Sequence, residues 1–159
     1  MRKDKEFPAK TLNLLLLITG ILILLHSVEV LMRVKDVDVY ENWQKAVLAS
    51  GVYPEGITPS FSDYVGAELF RYFFRIAIPM AFGLYTFLTA KKLGVSALYL
   101  FVWTVTLFGG MAYTFFELNF SSLFYYLIIA GYLVLIITLL SLTGESKSKR
   151  NHKGGERSW

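Results

Sequence analysis

Seven charged or titratable side chains lie where long apolar runs meet polar sequence: His26, Glu29, Arg33, Glu68, Arg71, Arg75 and Glu117. His26, Glu29 and Arg33 are spaced i, i+3 and i+7. Glu68, Arg71 and Arg75 repeat that spacing, so each trio lies on one face of a helix. Two arginines a turn apart can grip one phosphate or carboxylate, each through a planar fork of donors. His26 beside Glu29 could carry a proton. Tyr113 and Tyr125 offer hydroxyls above an apolar floor, which suits a molecule with one polar end. The candidate ligand-binding set is therefore Arg71, Arg75, His26, Tyr113 and Tyr125. Glu29, Glu68, Arg33 and Glu117 are read as structural ion-pair partners, with Glu29 meeting Arg71 or Arg75 across two helices.

Other chemistry finds less support. His26 and Glu29 are one carboxylate short of a metal site, and the second histidine, His152, lies in the polar C-terminal stretch. No metal and no cofactor is expected. No nucleophile–histidine–acid pattern, glycine-rich phosphate loop or nucleic-acid motif occurs, so no catalytic residue is assigned. The same charges also serve a plainer purpose, fixing a helix bundle or reaching lipid phosphates.

The elements that must position these groups follow from composition. The chain has 159 residues, of which 55% are hydrophobic and 18% charged, against about a quarter charged in a soluble domain. Four long apolar stretches point to an all-α, polytopic membrane protein with four transmembrane helices. These cover about 12–33, 62–90, 95–116 and 121–142, within a single domain 12–142. A basic tail, 1–11, precedes it. A polar, basic stretch, 143–159, follows and is expected to be disordered. The first helix is read as retained, since it is too long for a signal-peptide core and no small-residue cleavage site follows. The chain has no cysteine, which removes disulfide and thiolate chemistry.

The loop 34–61 is the one substantial connection. Asp38 with Glu41 has capping-box spacing, and Tyr40, Trp43 and Val47 share a face. A short amphipathic surface helix ending near Gly51 is expected, with Tyr40 and Trp43 as interfacial anchors. Ser60 and Asp63 are placed to cap the second transmembrane helix, within which Pro79 predicts a kink. Gly109 and Gly110 would admit a close neighbour in the third.

The order of elements resembles the DoxX-like group of four-helix membrane proteins. The residues carrying the likeness are Glu68-Leu69-Phe70-Arg71, Gly83, Lys91–Lys92 and Gly109–Gly110, and it spans the first helix to about Leu142. The group is functionally mixed, so the resemblance implies the four-helix fold and little more.

Depth follows from the basic anchors. At 1.5 Å per residue, Glu29 rises about 28 Å above Lys10 and His26 about 24 Å; Arg71 rises about 30 Å above Lys91 and Arg75 about 24 Å. All four therefore sit at one boundary of a core about 30 Å thick. Three readings of function stay open. One is an outward-facing vestibule for an anionic or amphiphilic small molecule or lipid headgroup. A second is an accessory subunit of a larger membrane complex, or a homo-oligomer. A third is a membrane enzyme acting on a lipid or quinone. Membrane lipid is a partner in each, and nucleic acid in none.

Arg2, Lys3, Lys5, Lys10, Lys91, Lys92, Lys147, Lys149, Arg150, Lys153 and Arg157 flank one side, against Arg33, Lys35, Lys45, Arg71 and Arg75 on the other. That asymmetry puts both termini in the cytoplasm of a multi-pass protein of the cell membrane. An impermeant thiol reagent on intact cells should therefore label Ser50→Cys and spare Ser148→Cys. The reverse pattern would invert the topology.

Overall fold

A computed structural model describes residues 8–54, 56–92, 95–117, 120 and 122–154. Most of the predicted tail 1–11 lies outside these residues, as do Gly94 and Asn119 of two predicted turns and the end of 143–159. The chain forms five helices among the described residues: α1 Ala9–Lys35, α2 Val37–Ala49, α3 Phe61–Lys92, α4 Ala97–Phe116 and α5 Leu123–Gly154. Four are long and apolar enough to cross a membrane, with the α5 span ending at Leu142. The protein is a multi-pass, all-α membrane bundle with a short helix between its first two spans.

Local chemistry explains most boundaries. Asp36 caps α2, its carboxylate accepting from the amides of Asp38 at 3.0 Å and Val39 at 3.2 Å. The cap is thus two residues earlier than the predicted Asp38, because an N-cap side chain serves the amides two and three positions on. Past the other end of α2, Gly51 takes φ +70, a conformation that favours glycine. Ser60 and Asp63 form a reciprocal box: the Ser60 amide donates to Asp63 at 2.8 Å and the Asp63 amide to Ser60 at 3.3 Å. α3 runs unbroken through Pro79. α5 continues past Leu142 to Gly154.

Packing is inverted relative to a soluble protein. Leu17, Leu24, Phe101 and Ile137 are exposed, while Thr19, His26, Glu29, Arg75 and Thr86 are buried. An apolar exterior around a polar seam suits hydrocarbon as solvent. Helix α1 packs against α3 and α5, and α5 against α4, so the order around the bundle is α3, α1, α5, α4. The core of Leu15, Leu22, Phe82, Leu107, Leu135 and Leu139 fills the interior. The α3–α4 seam is the loose one among the neighbouring spans. Near Lys91 it is closed by Phe82, Tyr85, Tyr99 and Trp103 in ring contact and by a 2.7 Å Thr86–Tyr99 hydrogen bond.

Small residues set the closest approaches. A Cβ on Gly131 would lie 2.6 Å from Leu22 Cδ2, so α1 crosses α5 against bare backbone. The glycine pair of α4 divides: Gly110 faces Tyr132 and Ile78, whereas Gly109 faces open space. Gly131→Leu should therefore overpack the α1–α5 crossing and cost about 1–3 kcal/mol, read as a lower unfolding midpoint in detergent. Gly109→Ala should leave the midpoint unchanged or raise it slightly, by its better helix propensity.

Candidate functional site

The two charged trios meet at the end of the bundle away from Lys91. Helices α1 and α3 run antiparallel there, and the Tyr64 hydroxyl donates to the Arg33 carbonyl at 2.7 Å. Side chains lean toward the N-terminus of their own helix, so Glu29 leans down from α1 while Arg75 leans up from α3. Arg75 Nη1 donates to Glu29 Oε2 at 2.7 Å. Its Nε donates to Glu117 Oε1 at 3.0 Å, and its Nη2 bonds Glu117 Oε2. All three nitrogens of Arg75 thus serve a carboxylate, on α1 and at the C-cap of α4. Pro79, four residues on, has no amide to bond the Arg75 carbonyl, so the turn that carries Arg75 lacks one backbone bond.

The pairing continues outward. Arg71 Nη2 lies 3.0 Å from Glu117 Oε1, and its Nη1 is 3.8 Å from Glu68 Oε1. Arg33 grips Glu68 with two bonds, at 2.9 and 3.0 Å. Charges alternate along one line: Arg33, Glu68, Arg71, Glu117, Arg75, Glu29. Three guanidinium groups balance three carboxylates. In a low-dielectric setting an unpaired member would be very unfavourable, and the alternation removes that penalty from each.

Two voids adjoin this lattice. The smaller, about 10 Å³, is lined by His26, Val30, Arg33, Glu68, Arg71, Tyr72 and Arg75. The larger, about 190 Å³, opens between α3 and α4 and is lined by Phe74, Arg75, Ile78, Gly110, Tyr113, Thr114 and Tyr132. A third, more open hollow of about 680 Å³ lies between the ends of α1 and α5, with Glu29, Arg33 and Asp36 on its wall.

The five predicted ligand residues do not line one pocket. His26, Arg71 and Arg75 face the small void, and Arg75 and Tyr113 the cleft. Tyr125 faces neither. It is buried, its hydroxyl donates to the Phe115 carbonyl at 3.4 Å, and its ring meets Phe120 edge-on. It fastens the α4–α5 connection. Arg71 and Arg75 jointly hold one carboxylate, that of Glu117. Glu29, Glu68, Arg33 and Glu117 all stand in ion pairs.

Sequence reasoning gave Tyr132 no ligand role. It is 1% exposed, its hydroxyl sits over Gly110, and no described residue hydrogen-bonds that hydroxyl. The seven-residue spacing from Tyr125 put both on one face of α5, but not at which depth a cleft would open. Tyr40 and Trp43 of α2 pack on Tyr64, each with ring centroids 5.4 Å away, and no α2 residue lines the cleft. Among the described residues, no group of three His, Cys, Asp or Glu side chains is placed to hold a metal ion. No protein family matches the chain, and neither does any curated protein or solved structure.

The sharing of Arg75 sets the order of mutational effects. Arg75→Met strands Glu29 and leaves Glu117 to Arg71 alone, and should cost about 3–5 kcal/mol in detergent unfolding. Glu29→Gln should cost less, since Arg75 keeps Glu117. Combining the two should recover part of the Arg75→Met loss. Strict additivity would contradict a coupled lattice.

Proposed function

We propose that the protein is a membrane binding protein that takes the polar end of an amphiphile into the α3–α4 cleft. The observation that carries this reading is the cleft of about 190 Å³ lined in part by Tyr132, whose hydroxyl has no hydrogen-bond partner among the described residues. A dry cavity of about 150 Å³ already accommodates a benzene ring, so this one has room for a small head or a chain end. Phe74 and Ile78 supply apolar wall, and Tyr113, half exposed, sets a second hydroxyl at the mouth. The opening is lateral, toward the lipid, in the half of the bundle that the Lys/Arg asymmetry assigns to the outside.

The lattice restricts the ligand. With its three arginines matched by three glutamates, it offers no surplus positive charge, so a formally anionic head gains little here. An uncharged hydrogen-bonding head, a hydroxyl or carbonyl on an apolar body, fits the two phenols better. The same balance leaves the accessory-subunit reading without a spare charge with which to grip a partner helix.

Native mass spectrometry of the protein released from mild detergent tests the reading. The parent should retain one amphiphile per chain. Tyr132→Phe should weaken retention about 3- to 10-fold, the worth of one hydrogen bond. Ile78→Trp should fill the cleft and abolish retention while the protein stays monodisperse. Equal retention in all three, or none in the parent, would refute the proposal.

A further inference from the structure

His26 is the one member of the two trios that the ion-pair line leaves out. Its side chain is 1% exposed. Neither Nδ1 nor Nε2 has a hydrogen-bond partner among the described residues. A neutral imidazole carries one donor and one acceptor, and leaving both idle inside a protein is unfavourable. Two features surround it. Nδ1 lies 3.8 Å from Glu29 Oε2, the same oxygen that Arg75 Nη1 holds at 2.7 Å. The void of about 10 Å³ beside it is about the least that holds one water, and its wall includes Glu68, Arg71, Tyr72 and Arg75 as polar partners.

We propose that His26 and one water in this void form a proton-binding site that controls how Arg75 is shared between Glu29 and Glu117. The balance is simple. A proton from the aqueous phase adds to the free ring nitrogen, no covalent bond breaks, and the local charge rises by one. The imidazolium then donates from both nitrogens. Nδ1–H reaches Glu29 Oε2 after a small ring rotation, and Nε2–H reaches the water. Glu29 Oε2 must now divide between His26 and Arg75, so Arg75 turns toward Glu117, which it already holds through Nε and Nη2.

The charged surroundings allow this without a large net bias. From α1, Glu29 and Arg33 face the ring's region. From α3 come Glu68, Arg71 and Arg75, with the phenol of Tyr72. From the end of α4, Glu117 acts through Arg75. Helix α5 carries no charged residue between Leu123 and Leu142 and brings only the phenols of Tyr125, Tyr126 and Tyr132. Helix α2 contributes at its cap Asp36, which lies beyond Arg33. Three cations and three anions in and around the lattice cancel, and the added proton is the one uncompensated charge. The site stands whether or not an amphiphile occupies the cleft.

The chain has two histidines, so His152→Gln leaves His26 as the sole ring to observe. The full-length His152→Gln protein, labelled with 15N at histidine and arginine and held in nanodiscs, would be titrated between about pH 5 and 8 by NMR, the range in which histidines switch. The expected result is a change of ring protonation and a shift of the Arg75 Nε signal with the same midpoint. Adding His26→Gln should make the Arg75 signal independent of pH. A ring that keeps one protonation state throughout would overturn the proposal. So would an Arg75 signal that ignores the ring, or one that still shifts in His26→Gln.

Discussion

The bifurcated grip of Arg75 on Glu29 and Glu117 holds the charged end of this bundle together. It joins α1, α3 and α4 through one side chain. The α3–α4 seam needs such a tie, because those helices pack loosely against each other. At the Lys91 end the seam closes on aromatic rings and the Thr86–Tyr99 hydrogen bond. At the other end it closes on Glu117. Between the two closures lies the cleft. A seam pinned at both ends can stay open in the middle without the helices parting.

Charge neutrality follows from the same constraint. Hydrocarbon gives no solvation to a stranded ion, so each buried arginine requires a carboxylate and each carboxylate an arginine. Alternation along the line from Arg33 to Glu29 meets that requirement without surplus. It also limits what the site can recognise. A binding surface for anions needs donors to spare, and the three nitrogens of Arg75 all face glutamate oxygens. The unengaged polar atoms nearby are of another kind, the phenols of Tyr113 and Tyr132 and the ring nitrogens of His26.

Much of this was legible in the sequence, for identifiable reasons. Apolar length marks a membrane span, so the four long helices were visible. The i, i+3, i+7 spacing put His26, Glu29 and Arg33 on one face and Glu68, Arg71 and Arg75 on another, and counting rise per residue set them at one depth. That reckoning left Glu29 between Arg71 and Arg75. The lean of side chains in antiparallel helices resolves it, since Glu29 leans down and Arg75 up. What stayed hidden depends on neighbours that a single sequence does not specify. Periodicity gave a face for Tyr125 and Tyr132, but the depth of the cleft depends on how far α3 stands from α4. The voids depend on how completely six long side chains fill the space among three helices. The α2 cap was misplaced by two residues because the capping-box spacing of Asp38 with Glu41 was matched, whereas Asp36 serves the amides of Asp38 and Val39.

The central claim is that Glu117 keeps the upper α3–α4 seam closed. Spin labels at Phe70→Cys and Phe116→Cys, both exposed positions in a chain without native cysteine, report that separation directly by double electron–electron resonance. With Glu117 present the lattice account expects one narrow distance distribution. With Glu117→Gln it expects a longer and broader one, as α4 leaves Arg71 and Arg75. An unchanged narrow distribution in Glu117→Gln would mean that packing alone holds the seam, and the account would fail.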